Sequence, residues 1–151
     1  LEEPGQRVDS AFEKLVLECL VSAGYSVETQ VAVGAFRIDL VVGEDTGRRL
    51  AIECDGAHWH TPEQLQRDLE RQAVLERQGW LFARIRGSVF YRDPASAMLP
   101  VFARLRELGI EPRASFAQND AAVGTIESME RIKRSAAAIR EEWRTLERQS
   151  A

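Results

Sequence analysis

The alternation of apolar and polar positions predicts three consecutive strands in the first third of the chain. Residues 25–33 alternate, Gly34 turns the chain, and residues 36–42 and 48–55 resume the alternation. The polar segment 45–47 suits a three-residue hairpin loop with its final glycine in the left-handed conformation. These short connections predict antiparallel neighbours.

Spacings of three and four residues predict helices on both sides of these strands. Residues 9–23 form one helix, and Ser10 followed by Glu13 has the spacing of a capping box near its start. Residues 63–78 form a second helix, and residues 80–86 form a fourth strand that is rich in aromatic and branched side chains. The predicted order is therefore helix, three strands, helix, strand.

The last third of the chain is predicted to be helical. A helix over residues 93–108 contains Pro100, which predicts a kink or a break, and a long helix covers residues 120–149. One narrow apolar seam on the long helix indicates packing onto its own domain, the favoured interpretation, or a short coiled coil that joins chains into an oligomer. We expect a domain of residues 1–118 and a C-terminal helix of residues 119–151. The seam consists of Met129, Ile132, Ala136, Ile139, Trp143 and Leu146.

Three carboxylates, Asp39, Glu53 and Asp55, interrupt two otherwise apolar strands. A two-residue alternation puts Asp39 on one face of its strand and the other two acids on the matching face of the next strand. A hairpin that pairs Val42 with Leu50 brings Asp39 opposite Glu53, with Cβ atoms about 5 Å apart, where like charges repel. A divalent cation held by hard oxygen ligands would relieve that repulsion, and neutralisation by nearby arginines is the alternative. The opposite face of the strand that carries Asp39 is predicted to hold Phe36, Ile38, Leu40 and Val42.

Composition limits the classes of function. The 151 residues are 44% hydrophobic and 29% charged, which is typical of one soluble globular domain. Apolar runs are too short to span a membrane, and Cys19 and Cys54 lie far apart among apolar neighbours, which predicts a reducing, cytoplasmic setting. The net charge of −4 argues against a generally basic nucleic-acid binder but is compatible with an acidic metal site. Because the chain begins at Leu1, we expect it to be a piece of a longer protein.

The ordered set of elements and motifs resembles PD-(D/E)xK nucleases. Asp39 lies in the middle of the second strand, and Glu53 lies near the end of the third. The closer resemblance is to very-short-patch-repair endonucleases, in particular to the restriction-endonuclease-like domain at the C-terminal end of large superfamily 1 helicases. The matching segments are Phe12-Glu13, residues 37–42, residues 52–56, His60, Arg67-Asp68, Arg71-Gln72, residues 75–80, Arg84-Ile85 and residues 92–94.

The resemblance implies an α/β fold with an αβββαβ core, a mixed central sheet flanked by helices, and further C-terminal helices. It also implies a Mg²⁺ ion, replaceable by Mn²⁺, held by Asp39, Glu53 and the backbone carbonyl of Cys54. Asp55 is expected to bind the metal through water or to position a base, and its alternative role is to cap the following turn. Glu13 is expected to reach the site from the first helix, or else to serve only the capping box.

His60 follows the acidic strand, and the resemblance favours it over His58 as the acceptor of a proton from water. Its alternative is a solvent-exposed loop histidine. The two histidines lack a third ligand at zinc spacing, which argues against a structural zinc site. Nucleases of the wider superfamily carry Lys two residues after the second acid, where this chain has Asp55. Lys14 would replace that lysine only if the first helix turned it inward.

The second helix and the fourth strand supply candidate DNA-binding residues, which either contact the phosphate backbone or lock the acids in place. We expect a metal-dependent endonuclease domain that hydrolyses DNA phosphodiester bonds within a larger helicase, DNA repair or restriction protein. The alternative is a catalytically inactive module of the same fold for DNA docking or protein contact. The candidate DNA-binding residues are Arg67, Arg71, Gln72, Arg84 and Arg86. The face of the second helix that is predicted to pack on the sheet carries Leu65, Leu69, Ala73 and Leu75.

Overall fold

A computed structural model describes residues 4–44, 47–56, 61–113 and 118–150, with side chains from residue 11 onward except at 118–126, 128 and 150. Part of the predicted hairpin loop (residues 45 and 46) and His60 lie outside the described residues. In chain order the elements are α1 (Pro4–Ser22), β1 (Val27–Val33), β2 (Phe36–Val42), β3 (Leu50–Asp55), α2 (Pro62–Arg77), β4 (Leu81–Arg86), α3 (Gly87–Arg92), α4 (Pro94–Glu107) and α5 (Gln118–Ser150).

The four strands form one mixed sheet in the order β1-β2-β3-β4. β1 pairs with β2 and β2 with β3 in antiparallel fashion, whereas β4 runs parallel to β3. A parallel pair needs a crossover connection, which α2 supplies. The predicted αβββαβ core, with a mixed central sheet flanked by helices and followed by further helices, is confirmed.

Two apolar clusters cover the two faces of the sheet. The larger cluster packs α1, α3, α4 and α5 against one face, and the smaller cluster packs α2 through Leu75 against the other. Because the acids stand on the strands between these layers, both layers can position them. Strand residues of the larger cluster include Leu40, Val42, Leu50 and Ile52, and those of the smaller cluster include Ile38, Val41 and Ala51.

β2 reverses its alternation at Asp39. Ile38 and Phe36 pack with the smaller cluster, whereas Leu40 and Val42 pack with the larger one. The prediction that these four apolar residues share one face is therefore wrong. Asp39 lies where the alternation of β2 is interrupted. The direction of its side chain therefore depends on this interruption as well as on the regular alternation of the strand.

The cause of the reversal is a local departure from strand geometry in the β1–β2 pair. The ladder pairs Thr29 and Val31 with the residues on either side of Asp39 but omits Gln30 and Asp39 themselves. Gln30 has a φ of 51°, in the left-handed region that residues other than glycine rarely adopt. Such an interruption of the ladder bends a strand and re-aims its side chains, as a β-bulge does.

The starts of α1 and α2 differ in how they are capped. α1 begins at Pro4, which suits the first turn of a helix, so Ser10 and Glu13 lie inside α1 and the predicted capping box is wrong. α2 begins after Thr61 with a true capping box. Thr61 Oγ1 accepts from the backbone N–H of Gln64 at 3.2 Å, and Gln64 Oε1 accepts from the N–H of Thr61 at 3.1 Å.

The short helix α3 was not predicted from the sequence. α4 is one continuous helix from Pro94 to Glu107. Asp93 caps α4, where its Oδ1 accepts from the backbone N–H of Ser96 at 3.3 Å. The helix then continues through Pro100, so the predicted break does not occur. Burial of the α4 side chains Met98, Val101 and Leu105 in the core offsets the backbone hydrogen bond that proline removes.

The predicted apolar face of α2 is only partly buried. Leu75 is 1% exposed, but Leu65 and Leu69 are 46% and 50% exposed. The prediction that Leu65 and Leu69 face the sheet is therefore wrong, because α2 meets the sheet at Leu75, near its C-terminal end.

α5 packs on the rest of the chain through its predicted seam. Ile132 and Ala136 are buried, and the ring of Trp143 lies edge-on to Tyr91 with centroids 4.8 Å apart. Phe12 of α1 lies 5.5 Å from the same Tyr91 ring, so aromatic contacts join α1, α3 and α5. The domain boundary after residue 118 stays a prediction. In the part of the chain that is described, no helix is long and apolar enough to cross a membrane.

Candidate active site

Acidic side chains from α1, β2 and β3 line one cavity of about 240 Å³. Glu13 comes from α1, Asp39 from β2, and Glu53 and Asp55 from β3, with Cys54 between the last two. The fold therefore brings together four acids that the sequence singled out from three separate elements. The cavity wall is completed by Gly56, Asp68, Arg71 and Arg84.

Asp39 is held against the end of β3. The β2–β3 ladder pairs Val42 with Leu50, which confirms the predicted register. Continued along β2, this register places Asp39 opposite Glu53. There Asp39 Oδ2 accepts a hydrogen bond from the backbone N–H of Cys54 at 3.0 Å. The carboxylate thus satisfies a backbone donor at the point where the β2–β3 ladder has ended.

Glu53 is the buried acid of the site, with 4% of the residue exposed. Burial, followed by the charge and hydrogen bonding of Asp39, raises the pKa of Glu53 from 4.5 to about 8, against the lowering effect of Arg71 and Arg84. At pH 7 the metal-free pair of acids therefore holds a proton. A divalent cation would compete with that proton, since both neutralise the same two carboxyl groups.

Arg71 of α2 fixes Glu53 from the opposite side. Its Nη2 donates to Glu53 Oε1 at 2.9 Å, and its Nη1 donates to the backbone carbonyl of Arg37 at 3.0 Å. The guanidinium offsets part of the cost of burying the acid. Two roles were expected for Arg71, contact with a phosphate and fixation of the acids. In the structure Arg71 contacts an acid, Glu53.

Arg84 of β4 fixes Asp55. The parallel register sets Arg84 beside Glu53, and Arg84 Nη1 donates to Asp55 Oδ1 at 2.7 Å. Arg84 Nε donates to Gln72 Oε1 at 2.6 Å, and Gln72 Nε2 donates to Glu76 Oε1 at 2.7 Å. A chain of hydrogen bonds therefore runs from α2 through β4 to the end of the acidic strand, which orients the terminal acid.

Two guanidinium nitrogen atoms at the cavity have no hydrogen-bond partner among the described residues. Arg71 Nε and Arg84 Nη2 are both buried, and both residues line the cavity. A buried donor without an acceptor costs about 1–3 kcal/mol, which an anionic oxygen in the cavity would remove. The site thus combines carboxylates that suit a cation with donors that suit an anion.

Gln30 is a site residue that sequence reasoning missed. Its Nε2 donates to Glu13 Oε2 at 3.3 Å, so the residue with the left-handed φ of 51° also contacts an acid of the cavity. Backbone strain of this kind costs about 1–3 kcal/mol and clusters at functional sites. The sequence did contain a signal, because the tight turn at Gly34 sets a register that pairs the neighbours of Gln30 with the neighbours of Asp39.

The remaining predicted residues lie outside this network. Arg67 on α2 and Arg86 at the end of β4 are exposed. Lys14 is also exposed and is not among the residues that line the cavity, so it does not replace the missing lysine. His60 lies outside the described residues, and its role stays a prediction.

The oxygen atoms present fit a Mg²⁺ ion that keeps part of its hydration shell. Within the described ranges, no group of three or more His, Cys, Asp or Glu side chains is arranged to hold a metal. Mg²⁺, however, usually binds through one or two carboxylates and retains several waters. The backbone N–H of Cys54 and Nη2 of Arg71 each donate to one oxygen, of Asp39 and of Glu53 respectively. The two carboxyl groups also hydrogen-bond to each other, and a cation would take the place of the proton in that contact.

The fold and this site together define a restriction-endonuclease-like protein. The model of the restriction-endonuclease-like family REase_MTES_1575 matches residues 12–105, and the chain belongs to this family. The matched segment runs from within α1 to within α4 and includes every acid of the cavity. No curated protein and no solved structure gives a significant match.

Proposed function

We propose that this chain is a metal-dependent endonuclease domain that hydrolyses DNA phosphodiester bonds. The observation that carries the proposal is one cavity in which Asp39 and buried Glu53 stand beside unsatisfied guanidinium donors of Arg71 and Arg84. The acids suit a cation, and the donors suit the oxygens of a phosphate. Membership of a restriction-endonuclease-like family supports a nuclease reaction.

In this proposal the acidic residues bind a metal ion and the basic residues bind the phosphate. Asp39 and Glu53 hold Mg²⁺ or Mn²⁺, which when bound would polarise the phosphate and lower the pKa of a bound water. Arg71 and Arg84 bind non-bridging oxygens of the scissile phosphate. Because Asp55 is already bonded to a guanidinium at 2.7 Å, we assign removal of the proton from the attacking water to His60.

Arg84 is the proposed substitute for the missing lysine. The position two residues after Glu53 is Asp55, and Arg84 reaches it from the neighbouring parallel strand. The guanidinium therefore places a fixed positive charge where the wider superfamily carries an ammonium group. Since arginine stays protonated, it can stabilise charge that develops on the phosphate but cannot exchange a proton with the water.

We also propose that a larger polypeptide, helicase-like or active in DNA repair or restriction, delivers the DNA. The motif resemblance supports this proposal, and the net charge of −4 disfavours strong unaided binding to DNA. The free thiols of Cys19 and Cys54 support a cytoplasmic setting. Self-association through α5 would need surface beyond the seam, because Ile132 and Ala136 are already buried within the chain.

Metal titration beside a plasmid-nicking assay tests the endonuclease proposal. Mg²⁺ and Mn²⁺ are titrated calorimetrically into the wild type and Asp39→Asn, and both proteins are incubated with supercoiled plasmid. Asparagine keeps an oxygen that can accept from the N–H of Cys54, so the charge is removed without leaving that donor unsatisfied. Glu127→Gln, at an exposed carboxylate of α5, is the matched control.

The wild type and the control are expected to bind metal and to nick, and Asp39→Asn is expected to lose metal binding and to nick at least about 100-fold more slowly. No metal binding by the wild type would refute the proposal. Plasmid binding without nicking would instead favour the inactive module for DNA docking or protein contact. That alternative is supported by Asp55, which stands where lysine is usual.

A further inference from the structure

A groove of about 720 Å³ runs beside the carboxylate cavity, between α2, the end of β4, α3 and the start of α4. Leu65 and Leu69 of α2 and Val89 of α3 line it and are 46%, 50% and 49% exposed. The buried Ile85 of β4 also contributes to its lining. Half-exposed aliphatic side chains that face one concavity favour a ligand with flat or apolar faces.

The groove is continuous with the candidate active site. Asp55 and Arg84 line both the groove and the carboxylate cavity. A ligand that places a phosphate in the cavity therefore extends directly into the groove. In a nucleic acid, the group next to the scissile phosphate is a nucleoside, and its base is the part with apolar faces.

The charge at the groove favours a nucleic acid over an apolar segment of protein. Arg86 lines the groove, is exposed, and forms no hydrogen bond or ion pair with another described residue. A guanidinium in this position suits a backbone phosphate that flanks the bound nucleoside. The combination of an aliphatic surface and an arginine matches the base and the phosphate of one nucleotide.

Pro100 leaves one backbone carbonyl of α4 without its usual partner beside the groove. Proline has no N–H, so the backbone carbonyl of Ser96, four residues earlier in α4, lacks its usual intrahelical donor. Ser96 and Pro100 both line the groove. Every nucleobase carries an N–H group that can donate to such a carbonyl, so a base bound beside it would be oriented without selection of its identity.

We infer that the groove binds an unpaired nucleobase next to the phosphodiester bond that is cut. The inference rests on the proposed function and narrows its substrate to DNA with single-stranded or splayed nucleotides at the cleavage site. Bases in a duplex are stacked on their neighbours, and their flat faces reach a protein surface only when a nucleotide is unstacked.

The test compares the binding of oligonucleotides with and without bases in the presence of EDTA. Fluorescence anisotropy measures the affinity for a labelled single-stranded thymidine oligonucleotide and for an abasic oligonucleotide of equal length. The wild type is expected to bind the thymidine strand about five- to tenfold more tightly. Leu69→Ser is expected to bring this ratio close to one. Val74→Ser is the matched control, because Val74 is on α2 and 37% exposed but does not line the groove.

Circular dichroism melting establishes that each variant is folded. Equal affinity of the wild type for the two oligonucleotides would overturn the inference, as would equal effects of Leu69→Ser and Val74→Ser. No measurable binding of the thymidine strand would overturn it as well. EDTA removes metal, and no cleavage is measured in this test. A wild type that prefers the thymidine strand but, with Mg²⁺ or Mn²⁺, cuts neither plasmid nor single-stranded DNA would therefore refute the endonuclease proposal while the groove inference stands.

Discussion

Replacement of Glu53 by glutamine is expected to stabilise the metal-free protein at alkaline pH and not at acid pH. The pKa of Glu53 is raised from 4.5 to about 8, so between these values the folded chain keeps a proton that the unfolded chain has released. Because the folded state then binds more protons, its stability falls as the pH rises through this range and levels off above it. Glutamine has no ionisable group and escapes this loss, while its oxygen can still accept from Arg71.

The magnitude follows from the size of the pKa change. One unit of pKa corresponds to about 1.4 kcal/mol, so a rise from 4.5 to about 8 sets a ceiling of about 5 kcal/mol on the cost of ionising Glu53 in the folded state. Local relaxation and entry of water into the adjoining cavity reduce such penalties. We therefore expect Glu53→Gln to raise the free energy of unfolding by about 2–3 kcal/mol at pH 8.5.

Urea unfolding in EDTA at pH 4.0 and pH 8.5, followed by tryptophan fluorescence, measures this difference. The gain in Glu53→Gln over the wild type is expected to be large at pH 8.5 and close to zero at pH 4.0, below both pKa values. Glu127→Gln, at an exposed carboxylate, is expected to show the same small difference at both values. A glutamine variant that is no more stable than the wild type at pH 8.5 would refute the reasoning, because ionised Glu53 would then carry no penalty.

Three further changes test single contacts. Gln30→Gly is expected to be about 1 kcal/mol more stable to urea than Gln30→Ala, because glycine adopts the φ of 51° without strain; equal stabilities would argue against strain at this residue. Arg84→Lys keeps the charge but loses the fork that joins Gln72 to Asp55, and nicking is expected to fall at least about tenfold at unchanged melting temperature. Thr61→Ala removes the cap of α2 and is expected to cost about 1 kcal/mol in thermal unfolding, whereas no change would show that the cap is dispensable.

The sequence predicted the parts of the site that depend on hairpin register. Pairing of Val42 with Leu50 is determined by the apolar pattern of two neighbouring strands, and it correctly placed Asp39 near Glu53. The same pattern failed for Ile38, because alternation assumes a regular strand and gives no sign of the irregularity at Gln30. A left-handed residue depends on what surrounds it, which no local pattern records.

The sequence could not assign the arginines to their roles. Helical spacing put Arg71 and Gln72 on a polar face, which is equally compatible with phosphate contact and with contact to the acids. Only the crossing of α2 over the parallel β3–β4 pair determines that Arg71 reaches Glu53, and that Gln72 holds Arg84. The exposure of Leu65 was missed for a related reason. Helical periodicity identifies the apolar face of a helix but not how much of that face packs against the sheet.

The parallel pairing of β3 with β4 has a consequence for the order in which the protein folds. The two opposed acids, Asp39 and Glu53, belong to neighbouring strands that can meet early, but their arginine partners arrive only with α2 and β4. Until that crossover closes, the β2–β3 hairpin brings like charges together without compensation and is expected to be unstable alone. A chain still emerging from the ribosome would therefore lack the assembled carboxylate cavity until residues well beyond Arg84 had been made. Under this scheme, the proposed active site would form only after the helix and the strand that hold its arginines are present.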